Sequence, residues 1–150
     1  VTRSLLTARF GLAAWYLTAV GLLFGIRALT TLLGGAGWEL PGTGWRSVWQ
    51  LVVVAIVLAG LAAPRLTLPA VGVVGAMYLL ATLSELVDGT TLVGAIPVDM
   101  RDRLVHPLVG LLAVAVLLVV RRAAPRAAAT DSSLRAPHDG WPASRRRWRA

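Results

Sequence analysis

The chain has 150 residues, 57% of them hydrophobic and only 15% charged, with a mean hydropathy of +0.72 and a net charge of +8. A soluble domain carries about a quarter charged residues, so this composition excludes an ordinary globular protein and indicates an integral membrane one. The lack of cysteine excludes disulfides, zinc–thiolate centres and thiol nucleophiles.

Lysine and asparagine are also missing, and all 15 basic residues are arginine. Their codons are A/T-rich, whereas those of Arg, Ala, Gly and Pro are G/C-rich, which points to a GC-rich bacterial genome. The arginine bias then reflects codon usage.

A bilayer core of about 30 Å takes roughly 20 apolar residues of helix. Four segments meet that length and predict helices over residues 10–33, 45–63, 66–87 and 104–120. The first has too long an apolar run for a secretory leader and no small-residue cleavage site after it, so it is read as a retained helix. Gly11, Ala14, Thr18, Gly21, Gly25 and Ala28 share one of its faces. Gly21 and Gly25 form a small-xxx-small motif that lets helices approach closely in lipid, here within the chain. Trp38, Trp45 and Trp49 follow and suit the outer headgroup level. Pro64-Arg65 forces a tight hairpin between the second and third helices.

The loop charges set an orientation. Arg3 and Arg9 near the N-terminus, Arg65 in the hairpin, and Arg121, Arg122 and Arg126 after the fourth helix belong on one side. Glu85, Asp88, Asp99 and Asp102 crowd the third loop on the other. Excess arginine faces the cytoplasm. The expected fold is therefore an all-α four-transmembrane-helix bundle over residues 1–120, with both termini cytoplasmic.

The stretch "PVDMRDRLVHPLVGLLAVAVLLVVRR", residues 97–122, opens the fourth helix. From Pro107 alone to Val120 it would be too short to span, so it must begin earlier, with Asp99 as N-cap and Pro107 inside it. Pro107 should bend the chain near Arg103. Asp99, Asp102, His106, Gly110 and Ala113 then form one stripe, polar outside and small within. His106 is expected to point into the bundle with Asp102 one turn above it, and Gly110 to pack against a neighbouring helix. Arg27 and Glu85 lie at similar depth on the first and third helices. Ionisable groups within a span face the interior and pair, so Arg27, Glu85, Asp102 and His106 are expected to form one polar cluster.

Residues 121–150 hold little apolar surface and are expected to be a disordered cytoplasmic tail. Arg145, Arg146, Arg147, Trp148 and Arg149 suit anionic lipid headgroups. No nucleic-acid recognition module accompanies them, so nucleic acid is not an expected partner.

One histidine with carboxylates is a thin ligand set for a transition metal, and no second axial histidine lies in any helix for haem. No metal or other cofactor is expected. Below the cluster the helices offer mainly Thr18, Tyr78 and Thr82, and no charge at mid-membrane where transporters place coupling groups.

The segment "LVGAIPVDMRDRLVHPLVGLLAVAVLL" resembles the last part of small actinobacterial four-helix membrane proteins of unknown function. In those, a Leu/Ile-Pro turn leads to an Asp, a His about four residues on, and a final apolar helix. Here Ile96, Pro97, Asp102 and His106 match, while Pro107 directly after the histidine departs from the pattern. The resemblance implies a bacterial inner-membrane location and a four-helix form, and brings no activity. The expected function is a non-enzymatic accessory or structural membrane protein, with lipids, a membrane-protein partner or a second copy as its contacts. A small oligomeric transporter or channel is the alternative, and a metal-dependent membrane enzyme the third.

Overall fold

The structure is a computed structural model. It describes the backbone of residues 2–89, 91, 92 and 94–134, and side chains between residues 11 and 122 except those of Asp88, Thr90 and Val93. Four long helices run in chain order: α1 (Thr2–Leu33), α2 (Thr43–Ala62), α3 (Thr67–Asp88) and α4 (Asp102–Leu134). A single 3-10 turn, Pro64–Leu66, joins α2 to α3. A two-stranded antiparallel hairpin, β1 (Thr91–Leu92) with β2 (Ile96–Pro97), sits between α3 and α4. Gly94, at φ +70°, supplies the left-handed position that its short turn needs.

Gly11–Leu33, Thr43–Ala62, Pro64–Val87 and Asp102–Arg122 are each long and apolar enough to cross a membrane. The shortest, 20 residues, covers about 30 Å at 1.5 Å per residue. Only 28–39% of each span is buried within the bundle. Leu22, Ile26, Leu58, Leu80, Leu108 and Leu111 are among the large side chains it leaves on the outside. A soluble helix buries its apolar stripe and shows a polar back. These helices show apolar backs, the pattern of a multi-pass membrane protein.

The interior is filled by Leu17, Val20 and Phe24 of α1, Val53 and Val57 of α2, Val71, Val74 and Tyr78 of α3, and Val109, Ala113 and Val116 of α4. Close approach depends on glycine. A Cβ on Gly21 would come within 2.9 Å of Val57, and one on Gly110 within 2.7 Å of Leu79, so both glycines pack helix on helix as the sequence suggests. Gly25 has only ordinary contact with Val54, at 3.7 Å, and Gly11 meets nothing within 4 Å. The small stripe of α1 thus borders the buried face rather than forming it. Two tighter crossings involve glycines that the sequence does not single out. A Cβ on Gly60 would lie 2.5 Å from the Cβ of Ala70, and one on Gly75 2.5 Å from that of Ala113. The α2–α3 crossing is also locked by the buried Thr67 hydroxyl, which donates to the Gly60 carbonyl at 2.9 Å.

α4 differs from the expected helix over 104–120 at both ends. It starts at Asp102 and continues to Leu134, so the first part of the segment expected to be disordered is helical. The cause is compositional: residues 123–129 hold five alanines, the best helix former, and a helix already nucleated in the span extends at little cost. Pro107 lies inside α4 without interrupting it. Residues 135–150, with the Arg145, Arg146, Arg147, Trp148 and Arg149 cluster, fall outside the described residues.

Candidate functional site

The up-and-down order of the helices brings the C-terminal part of α1, the start of α2, the end of α3 and the start of α4 to one end of the bundle. The ionisable side chains expected to cluster are all there, but they fall into two adjoining groups.

The first group is a four-residue ion network. Arg27 of α1 reaches Asp99 at 3.1 Å and Asp102 at 2.9 Å. Arg46, the fourth residue of α2, reaches Asp99 at 3.1 Å and Asp102 at 3.7 Å. Arg46 also donates from Nε and Nη2 to the Pro97 carbonyl, at 3.1 and 2.7 Å. Its planar fork therefore ties α2 to the β2 strand and to the approach of α4, a geometry that lysine could not reproduce.

The carboxylates are set by the turn that starts α4. Asp99 Oδ1 accepts the backbone N–H of Arg101 and of Asp102, each at 2.9 Å, and Asp102 Oδ2 accepts the N–H of Asp99 at 3.2 Å. This is a reciprocal capping box with aspartate in both seats, and it places both negative charges at the positive end of the α4 dipole. Asp102 is buried, its side chain 5% exposed, whereas Asp99 is 43% exposed. Partial burial pushes the Asp99 carboxyl up. The Asp102 N–H, the guanidinium groups of Arg27 and Arg46 and the Arg101 N–H outweigh it, and the net effect holds Asp99 below the usual carboxylate range.

The second group lies one turn further into α4. His106 Nδ1 pairs with Glu85 Oε1 of α3, and both residues are buried. The imidazole also lies 5.2 Å from the ring of Tyr78, which stacks on Phe24 of α1 at 4.9 Å. His106 is thus held by one carboxylate and one aromatic ring, and a continuous set of rings leads from α4 to α1. Arg103 closes the end of α3 by donating to the Gly89 carbonyl.

Arg27 and Asp102 therefore meet as expected, and so do Glu85 and His106. Sequence reasoning missed Arg46, which stands at the very start of the expected helix over 45–63. The signal was the polar repeat Thr43, Arg46, Ser47 and Gln50 at helical spacing on α2. Trp49, expected at the headgroup level, is partly covered by the bundle. It is only partly exposed, and its indole N–H approaches the Tyr78 hydroxyl without reaching hydrogen-bond geometry. Trp38 and Trp45 do lie at the surface, packed edge to face with ring centres 5.9 Å apart.

No family model, no curated protein and no solved structure matches this chain. Among the described residues, no three His, Asp or Glu side chains converge in a group that could hold a metal ion. In both pairs each buried carboxylate is matched by a cation or an imidazole, which is the arrangement that makes buried charge tolerable.

Proposed function

We propose that this chain is a non-enzymatic accessory or structural protein of the bacterial plasma membrane, with both termini cytoplasmic. It works through helix and lipid contacts. The observation that carries this reading is the mutual pairing of Arg27 and Arg46 with Asp99 and Asp102, and of Glu85 with His106, across all four helices. Beneath them the described core has no carboxylate, imidazole or guanidinium. A charge network that satisfies itself fixes which helices meet and in what register. A coupling site would need such groups near mid-membrane.

The orientation is supported by position. Arg65, Arg121 and Arg122 lie at the end opposite Asp102, with Arg3 and Arg9 preceding the first span on the same side. The likeness of Ile96, Pro97, Asp102 and His106 to the actinobacterial pattern belongs to this proposal too. A membrane-protein partner or a second copy would be met through the apolar backs of the helices.

The test is His106→Ala and Glu85→Gln in the purified protein and in liposomes. The structural reading expects a lower melting temperature in both variants, and no proton or ion flux above empty liposomes in wild type or variant. Flux in the wild type that either substitution abolishes, with melting unchanged, would replace this reading by the transporter alternative.

A further inference from the structure

At the end opposite the ion network, α3 and α4 part to leave a groove of about 350 Å3 lined by Leu68, Pro69, Gly72, Leu117, Val120 and Arg121. That volume falls in the lower range of ligand pockets, about 300–1,000 Å3. Its walls are one face of each helix: residues 68, 69 and 72 on α3, and 117, 120 and 121 on α4. Gly72 keeps it open. A Cβ there would meet only Leu117 Cδ1, at 3.9 Å, so the close packing that makes Gly75 indispensable one turn further along α3 does not apply.

The mouth of the groove is positive. Arg121 lines it, Arg122 follows on α4, and Arg65 stands in the 3-10 turn that leads into α3. All three are exposed, and none makes an ion pair among the described residues. The carboxylates with described side chains that lie near a helix end, Glu39, Glu85, Asp99 and Asp102, are all at the other end of the bundle. The N-terminus of α3 opens here without a side-chain cap, and its dipole adds to the positive field.

We propose that this groove binds an anionic glycerophospholipid, with an acyl chain between α3 and α4 and the headgroup phosphate at Arg121, Arg65 and Arg122. The apolar walls suit hydrocarbon, and the three exposed guanidinium groups suit a phosphate at the membrane surface. A zwitterionic lipid would fill the groove equally well but would bring its own ammonium group to the arginines. A second copy of this chain lying parallel would bring the same three arginines to the same level, where like charges repel. The arginine cluster of residues 145–149, outside the described residues, forms no part of this proposal.

The test is native mass spectrometry of the full chain released from bilayers of equal phosphatidylglycerol and phosphatidylcholine. The proposal expects one retained lipid per chain, enriched in phosphatidylglycerol. Arg121→Gln should reduce that enrichment about five-fold, since each basic residue near an anionic surface is worth that factor. Gly72→Leu, which occupies the groove, should remove retention of both lipids; Gly72→Val serves if the leucine variant melts earlier than wild type. Unchanged retention in the Gly72 variants would overturn the site. So would loss of the enrichment on converting Arg145, Arg146, Arg147 and Arg149 to Gln while Arg121→Gln has no effect, because the tail would then be the binding element.

Discussion

Asp102→Asn is the substitution that most directly tests the ion network. It keeps the shape of the side chain and removes one charge from a site that is 5% exposed. Asp102 forms an ion pair with Arg27 at 2.9 Å and accepts the Asp99 backbone N–H at 3.2 Å, and Arg46 lies at 3.7 Å, close enough to attract but too far to bond well. A bond to a charged group is worth about 1.5–3 kcal/mol, and a neutral one about 0.5–1.5 kcal/mol. Making that accepted bond neutral and weakening the attraction to both guanidinium groups therefore costs about 2 kcal/mol. The roughly 3–5 kcal/mol of a fully broken buried pair is not reached, because Arg27 keeps Asp99 at 3.1 Å.

Asp99→Asn removes the same charge from a site that is 43% exposed. Solvent screens that charge, and asparagine caps a helix as well as aspartate does, so the cost stays below about 1 kcal/mol. Thermal unfolding in mild detergent, followed by the fluorescence of the 6 tryptophans, should show Asp102→Asn melting about 4–8 °C below wild type. Asp99→Asn should lie much closer to it. Equal losses for the two variants would refute the argument, since burial would then not be setting the strength of the network.

Gly75→Ala places a methyl group 2.5 Å from the Cβ of Ala113, and such overpacking should cost about 1–3 kcal/mol in the same melt. Gly11→Ala, with nothing within 4 Å, should leave melting unchanged or raise it slightly. Thr67→Val strands the buried Gly60 carbonyl and should lower stability by about 1–3 kcal/mol, whereas Thr67→Ser should retain most of it. Asp99 is held below its ordinary range, so its contribution is complete above the unfolded value of about 3.9 and is lost as pH falls through the lower folded value. Melting followed from pH 7 downward should be flat in this respect until about pH 4, and Asp99→Asn should remove the acid-side loss that this carboxyl causes.

The four helices were legible because each apolar run is long, and the Asp102–His106 spacing by itself puts both groups on one face of α4. What could not be read was the choice of partner. Helical spacing says which residues share a face, but not which residue of another helix stands opposite. Glu85 and His106 found each other, and Arg27 found Asp102, because few charges lie at that depth. Arg46 escaped because a charge beside a loop reads as solvated, and α2 begins two residues earlier than expected. Gly60 and Gly75 escaped for a similar reason: each matters only through an alanine on another helix. The continuation of α4 beyond the span was hidden by treating a polar, arginine-rich composition as a barrier to helix, when its alanines favour one.

The distribution of the ion network between the two halves of the chain bears on how the bundle assembles. Both guanidinium groups come from the α1–α2 hairpin, and both of the aspartates that receive them precede or begin α4. During synthesis the first hairpin therefore enters the bilayer before the aspartates that pair with its two guanidinium groups have emerged. The sign of the charge acts as an address between early and late halves. It rewards the docking that joins them and penalises a first hairpin that settles permanently against another of its kind.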